Sequence, residues 1–225
     1  MIHHSFELHR LIQTPLALEA LGTACLIFGL GILAVKRDQS SAESLAFSKL
    51  MGSMGLWLFG FSWMYASRDA DAAYWWAKIG YIGIALIPAA AFELSTLLVP
   101  DFHQAKKTAV HVLWTASFFF MVAILATDFQ FGSMYRYSWG FYPRYTVTSL
   151  PFVLYYAIVL TAVFNRYYKA YRTARPGSRQ QRVGRLPILA CMVTNIGLVD
   201  YLPSFGIAVY PFGFSVVILF ALILY

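Results

Sequence analysis

Seven long apolar runs, separated by short polar segments, constrain this sequence more than any other feature. They cover about residues 15–35, 45–66, 74–99, 108–127, 150–168, 186–201 and 207–225. An α-helix needs roughly 20 apolar residues to cross the hydrocarbon core of a bilayer, and the run at 186–201 is the shortest. The pattern predicts an all-α fold, a polytopic membrane bundle of seven transmembrane helices that forms one domain over residues 1–225.

The composition supports a membrane protein and argues against a soluble one. Of the 225 residues, 60% are hydrophobic and only 12% are charged. Soluble domains average roughly 45–50% apolar and about 25% charged residues. The net charge of +7 lies in short loops between apolar runs, which is typical of membrane topology signals rather than of nucleic-acid binding. We therefore expect membrane lipids as partners and no nucleic acid.

The basic residues predict the orientation, because cytoplasmic loops of membrane proteins carry an excess of lysine and arginine. With the N-terminus outside, most of the 17 basic residues fall on the inner side. The inner set is Lys36, Arg37, Lys49, Lys106, Lys107, Arg166, Lys169, Arg172, Arg175, Arg179, Arg182 and Arg185. The outer set is Arg10, Arg68, Lys78, Arg136 and Arg144. The bias predicts an outer N-terminus and a cytoplasmic C-terminus.

Two charged residues inside the apolar runs form a candidate ion pair. Lys49 lies near the inner end of the second span, and Glu93 lies about two turns from the inner end of the third. Charges within a bilayer are costly without a partner, and helices joined by a short loop are usually neighbours. We expect a Lys49–Glu93 pair that locks the two helices. A signalling or proton-coupled switch is the alternative.

The outer loop and the end of the sixth span supply a second group of candidates. Asp200 lies at the predicted outer end of that span, and we expect it to pair with Lys78, Arg136 or Arg144. The structural interpretation of Asp200 is an ion pair at the membrane interface or a cap on the turn at 201–203. The functional interpretation is an outward-facing pocket. Its candidate ligand-binding residues are Trp139, Tyr142, Arg144, Asp200, Tyr201, Tyr210, Lys78 and Trp76.

Several classes of chemistry lack the residues they need. No nucleotide-binding loop, HExxH or GxSxG motif is present, and residues 207–225 contain no lysine that could hold a retinal. His3, His4 and His9 match no strong metal-ligand spacing. We therefore expect this chain not to be an enzyme, and we expect it to need no cofactor and no metal.

Three stretches resemble a known family. They are residues 75–83 (WWAKIGYIG), 139–145 (WGFYPRY) and 199–213 (VDYLPSFGIAVYPFG). Together they are similar to the N-terminal seven-helix sensor region of bacterial histidine kinases, which also precedes diguanylate cyclases. The resemblance implies a sensory module of the two-component type in a bacterial inner (cytoplasmic) membrane. It also implies that the last helix passes the signal to a cytoplasmic output.

The predicted function follows from this resemblance, with two alternatives. We expect a receptor that detects an unknown small-molecule or lipid stimulus, forms a homodimer through its transmembrane helices, and is followed by an output domain after residue 225. The absence of any output segment within these 225 residues leaves room for a non-catalytic structural subunit of a larger complex. A small transporter is a weaker alternative.

Overall fold

The computed structural model describes residues 8–99, 103–175, 177–178, 181, 197–213 and 217–218. Within these residues the elements follow one another as six α-helices, one β-hairpin and two 3-10 helices. The α-helices are α1 Leu8–Gln13, α2 Pro15–Arg37, α3 Ala42–Ala66, α4 Ala70–Leu98, α5 His103–Ala126 and α6 Leu150–Thr173. The strands are β1 Phe131–Tyr137 and β2 Gly140–Tyr145, and the 3-10 helices are η1 Val147–Ser149 and η2 Gly197–Phe205.

The helix boundaries have local causes. Pro15 opens α2, where its missing N–H costs no hydrogen bond, and basic residues occupy the last turn of that helix. Ser41 caps α3 by accepting from the Ser44 N–H, and Asp69 caps α4 by accepting from the Ala72 N–H. The connections between α2, α3 and α4 are short. These three helices therefore run antiparallel to their neighbours.

Helix α3 lies between α2 and α4, and its packing against these two is the most extensive in the described structure. Small residues permit the close approach to α4. A Cβ added to Gly60 would lie 2.4 Å from the Gly80 backbone nitrogen, and one added to Gly83 would lie 2.4 Å from the Ser53 carbonyl oxygen. Backbone contact of this kind is typical of membrane helices, which gain little from burying apolar side chains against each other.

Four described helical segments are long and apolar enough to cross a membrane. They are Pro15–Arg37, Ala70–Leu98, Lys107–Ala126 and Val147–Thr173. The first five predicted spans correspond to α2, α3, α4, α5 and α6. Most of the sixth and seventh predicted spans lies outside the described residues.

The described parts of the last two predicted spans differ from the prediction. The sixth span was expected to be α-helical to Tyr201, but Gly197–Phe205 forms the 3-10 helix η2. The seventh was expected to begin near Ile207, but residues 207–212 are not helical and Gly213 is. Pro203, Gly206 with its φ of 87°, and Pro211 explain the irregular backbone.

The loop between α5 and α6 corrects the all-α prediction, because it folds into a β-hairpin. Strand β1 pairs antiparallel with β2, and Tyr137 opposes Gly140 across a two-residue turn. Gly140 has a φ of 140°, and a Cβ there would lie 2.9 Å from the Tyr65 carbonyl oxygen. The apolar run pattern did not show this hairpin, since the aromatic residues of the loop also suit a membrane interface.

The hairpin lies at the end of the bundle where α2, α4 and α6 begin and where α3 and α5 end. We call this the hairpin end, and the other the opposite end. One apolar core runs through α2, α3 and α4 and reaches the hairpin through Phe131, Phe141 and Tyr142. The hairpin is therefore part of the packed bundle rather than a free loop.

Candidate functional site

A cavity of about 410 Å³ opens at the hairpin end. It lies between the α1–α2 junction, the end of α3, the hairpin turn and the segment that follows η2. Its lining residues are Gln13, Thr14, Pro15, Leu16, Tyr65, Arg136, Tyr137, Ser138, Trp139, Gly140, Phe141 and Tyr210. The volume is within the range of roughly 300–1,000 Å³ that is usual for small-molecule sites.

Trp139, in the hairpin turn, contacts several of the other aromatic residues that line the cavity. Its ring stacks on Tyr137 with the centroids 4.7 Å apart and the planes 16° apart. It also meets Tyr65 and Tyr210 edge to face, at centroid distances of 6.1 Å and 6.4 Å. Edge-to-face and offset-stacked rings are favourable arrangements. Trp139 thereby connects the hairpin with α3 and with the segment that leads to the last helical residues.

Two arginines of the hairpin each lie over an aromatic ring, but only one of them lines the cavity. The guanidinium carbon of Arg136 lies 5.3 Å from the centre of the Phe141 ring, and that of Arg144 lies 5.4 Å from the centre of the Tyr135 ring. Both side chains are exposed. Arg136 lines the cavity and Arg144 does not.

Asp200 is buried in η2, with 9% of its surface exposed. Its carboxylate accepts the Phe212 N–H at 3.0 Å and the Gly213 N–H at 2.7 Å. Among the described residues, no lysine, arginine or histidine forms an ion pair with it. The expected pairing with Lys78, Arg136 or Arg144 is therefore wrong. A carboxylate can be satisfied by backbone N–H groups at a helix start instead.

The hairpin also holds η2 through tyrosine hydroxyls. Tyr142 donates to the Asp200 backbone carbonyl at 2.5 Å, and Tyr137 donates to the Pro203 carbonyl at 2.7 Å. The Tyr145 ring lies 6.2 Å from that of Tyr201. Because Asp200 in turn holds residues 212–213, a continuous chain of hydrogen bonds joins β2 to the segment after η2.

Burial dominates the ionisation of this cluster. Asp200 lies outside the described spanning helices, and burial raises its pKa to about 6, although the two N–H bonds act in the opposite direction. Burial also raises the pKa of Tyr137 above its ordinary value, and Tyr135 adds to that shift. The hydroxyls therefore stay neutral donors at neutral pH, while the Asp200 carboxyl can change its charge near physiological pH.

Two of the candidate residues lie away from the cavity. Lys78 is 4% exposed, and its ammonium group donates to the Thr127 carbonyl at 3.0 Å and lies 3.5 Å from Asp128 Oδ1. It therefore neutralises the C-terminal end of α5, where a cation is favourable. Trp76 stacks on Trp63, with the ring centroids 5.5 Å apart, between α3 and α4.

Lys49 and Glu93 are in contact at the opposite end of the bundle. The ammonium nitrogen of Lys49 lies 2.7 Å from Glu93 Oε1. Trp114 of α5 donates its indole N–H to Glu93 Oε2 at 2.9 Å. Lys49 also lies 5.6 Å from the centre of the Trp114 ring. One carboxylate thus connects α3, α4 and α5.

The structure divides the residues that the sequence suggested for one pocket. Trp139 and Tyr210 line the cavity. Tyr142 and Asp200 form the hydrogen-bonded layer beside it, and the Tyr201 ring packs near that of Tyr145. Sequence reasoning missed Tyr65 and the residues at 13–16 as lining residues. Their signal was present only in part: Thr14-Pro15 marks a helix start, and Tyr65 lies near the predicted outer end of its span.

One of the comparisons with known proteins finds a family for this chain. A family model described as the N-terminal 7TM region of histidine kinase matches residues 20–225. No curated protein and no solved structure matches the chain. The match includes the hairpin, η2, most of the first membrane-compatible helix and the whole of the other three, which indicates a multi-pass membrane protein. The chain therefore belongs to the family of N-terminal seven-transmembrane regions of histidine kinases, as its resemblance to that family predicted.

Proposed function

We propose that this chain is a non-catalytic sensory module that detects a stimulus at the hairpin end and transmits it through its last helix to a cytoplasmic output. The proposal includes seven spans in one domain, an outer hairpin end, a bacterial inner-membrane location and a homodimer formed through the transmembrane helices. Family membership supports the sensory role. The distribution of the basic residues supports the orientation, since most of those that the structure describes lie at the opposite end.

The contact that carries the proposal is the bonding of Asp200 to the backbone N–H groups of Phe212 and Gly213. Gly213, Val217 and Ile218 are helical, so Asp200 holds the start of the last helical segment. Tyr210 lines the cavity only two residues before Phe212. A molecule that displaces Tyr210 therefore acts next to the residues that Asp200 fixes.

This geometry suits a two-state switch. A stimulus can shift an equilibrium only if it interacts differently with the two states. The candidate states are one in which Asp200 holds residues 212–213 and one in which these bonds are released. Packed helices change between discrete arrangements rather than deforming continuously, so a small change at residues 210–213 can move the whole last helix.

The proposal is tested by the signal output of the chain fused to the cytoplasmic module of a histidine kinase. Asp200→Asn retains the shape of the side chain but provides one oxygen acceptor instead of two. Hydrogen bonds to charged groups contribute about 1.5–3 kcal/mol, so the loss of one should shift the resting equilibrium about tenfold or more. We expect basal kinase activity to change accordingly, while membrane insertion and expression stay normal.

Asp71→Asn is the matched control, because Asp71 is an exposed aspartate in the first turn of α4 at the same end. It should leave output unchanged. If Asp200→Asn inserts, folds and signals like the unmodified chain under all stimuli tried, the transmission route through Asp200 is wrong.

A further inference from the structure

We infer that the cavity at the hairpin end binds a small molecule that combines a planar apolar body with a carboxylate or another compact anion, whose charge faces Arg136. The inference rests on the proposed sensory function in one respect only, namely that the bound molecule acts as the stimulus. The binding itself follows from the shape, the walls and the charge of the cavity.

The walls select the apolar body. Trp139 meets Tyr65 and Tyr210 edge to face, and all three line the same volume of about 410 Å³. Aromatic walls favour flat molecules, because offset stacking and edge contacts both need a planar partner. A volume of this size holds a fused-ring compound with a short side chain.

The charge selects the anion. Aromatic cages without a cation favour ammonium ligands, because ring faces attract positive charge. Here Arg136 lines the cavity, and its guanidinium is positioned on the Phe141 ring. Among the described residues Arg136 forms no ion pair. An ammonium ligand would be repelled, whereas a carboxylate can take two parallel hydrogen bonds from the guanidinium.

The start of α2 adds to the positive potential. Thr14 and Pro15 line the cavity, and the Thr14 side chain makes no capping hydrogen bond to the helix. The N-terminal end of a 23-residue helix carries partial positive charge. Glu19 acts on Tyr210 electrostatically, but it is exposed and does not line the cavity. The lining residues therefore carry positive charge and no carboxylate.

Three probes with one ring system test the inference: 1-naphthylacetate, 1-naphthylacetamide and 2-(1-naphthyl)ethylamine. They provide an anion, a neutral group and a cation on the same body. Binding to the whole chain in nanodiscs is measured by ligand-detected saturation-transfer NMR and equilibrium dialysis, with subtraction of the signal from empty nanodiscs. We expect the acetate to bind tightest and the amine weakest. Equal or reversed affinities would overturn the inference, as would no binding by any probe.

Arg136→Gln and Arg144→Gln form a matched pair, because both arginines are exposed, lie on the hairpin and stack on a ring. We expect Arg136→Gln to weaken acetate binding about tenfold and to leave amide binding nearly unchanged. Arg144→Gln should change neither. An equal loss in both variants would mean that general surface charge attracts the acetate, which contradicts a site at Arg136. The Asp200→Asn output experiment uses no probe, so the proposed function can fail or succeed separately.

Discussion

Two carboxylates at opposite ends of the bundle are satisfied in different ways. Glu93 has a full cation, Lys49, at 2.7 Å and an indole N–H from Trp114 at 2.9 Å. Asp200 has two backbone N–H groups and, among the described residues, no cation. Both acids are removed from bulk water, but only the first has its charge balanced by an opposite charge.

The difference supports the proposal that the hairpin end, rather than the opposite end, responds to a stimulus. The two partners of Glu93 are side chains of α3 and α5, helices that pack against the α4 helix of Glu93, so these contacts hold three helices together. The Asp200 contacts reach the backbone of residues 212–213, which are not fixed by a regular helix on both sides. Under the proposed switch, we expect the loss of a proton or of a hydrogen bond at Asp200 to change the position of this backbone, whereas the same change at Glu93 should mainly change stability.

The largest effect should be the pH dependence that Asp200 confers. Its pKa is raised to about 6 from 3.8, so the folded chain retains this proton to higher pH than the unfolded chain does. The folded state is favoured most at low pH, and that advantage is lost as pH rises from about 4 to 6. The titratable groups outside the described spanning helices that face the carboxyl are Tyr142 and Tyr201, and burial raises the pKa of each hydroxyl well above its ordinary value, so both stay neutral in this range.

The measurement is the free energy of unfolding between pH 4 and 7 for the unmodified chain and for Asp200→Asn. Subtraction removes the other titrating groups. Between pH 4 and pH 7, the free energy of unfolding of the unmodified chain should fall relative to that of Asp200→Asn by an amount on the order of 3 kcal/mol. A constant difference across this range would show that Asp200 titrates as it does in the unfolded chain.

A smaller effect is expected from Glu93→Gln. Removing one member of a buried ion pair costs about 3–5 kcal/mol, and exposed pairs contribute about 0–1 kcal/mol. The side chains of Lys49 and Glu93 are 38% and 18% exposed, which places this pair between these limits. We expect Glu93→Gln to lower the free energy of unfolding by about 2 kcal/mol. Adding Lys49→Met should restore much of that loss.

The double-mutant cycle isolates the interaction energy between Lys49 and Glu93. Additive losses in the free energy of unfolding would show that the two side chains do not stabilise each other. Trp114→Phe provides the matched test of the third partner, since it keeps the aromatic packing and removes only the N–H donor to Glu93. Signal output should change little in any of these variants. A large change in output would mean that the opposite end is also part of the switch.

The sequence predicted the long-range features that depend on hydrophobicity and charge. Five of the predicted runs correspond to described helices. The pairing of Lys49 with Glu93 was predicted from their similar distance to the inner ends of neighbouring spans. Both predictions need only the fixed rise per residue of an α-helix. The β-hairpin was not predicted. Its strands have seven and six residues of mixed aromatic and polar character, and a membrane-interface loop has the same composition.

The details of the site depended on backbone geometry that a single sequence does not reveal. Asp200 was expected to find a cation, since arginines are near in the predicted topology. The turn around Pro203 and Gly206 instead folds residues 212–213 back onto it. Likewise, Arg136 and Arg144 look equivalent in sequence. Only the strand register, in which Arg136 opposes Phe141, shows which arginine lies at the cavity.

The central claim is that Asp200 sets the position of the last helical segment relative to the hairpin. Spin labels on Ser133, an exposed residue of β1, and on Ile218 report that distance by pulsed electron resonance, once Cys25 and Cys191 are replaced by serine. A pair on Ser133 and Asp71 serves as the reference. We predict that Asp200→Asn shifts or broadens the Ser133–Ile218 distance distribution and leaves the reference pair unchanged. Superimposable distributions for both pairs would contradict the claim.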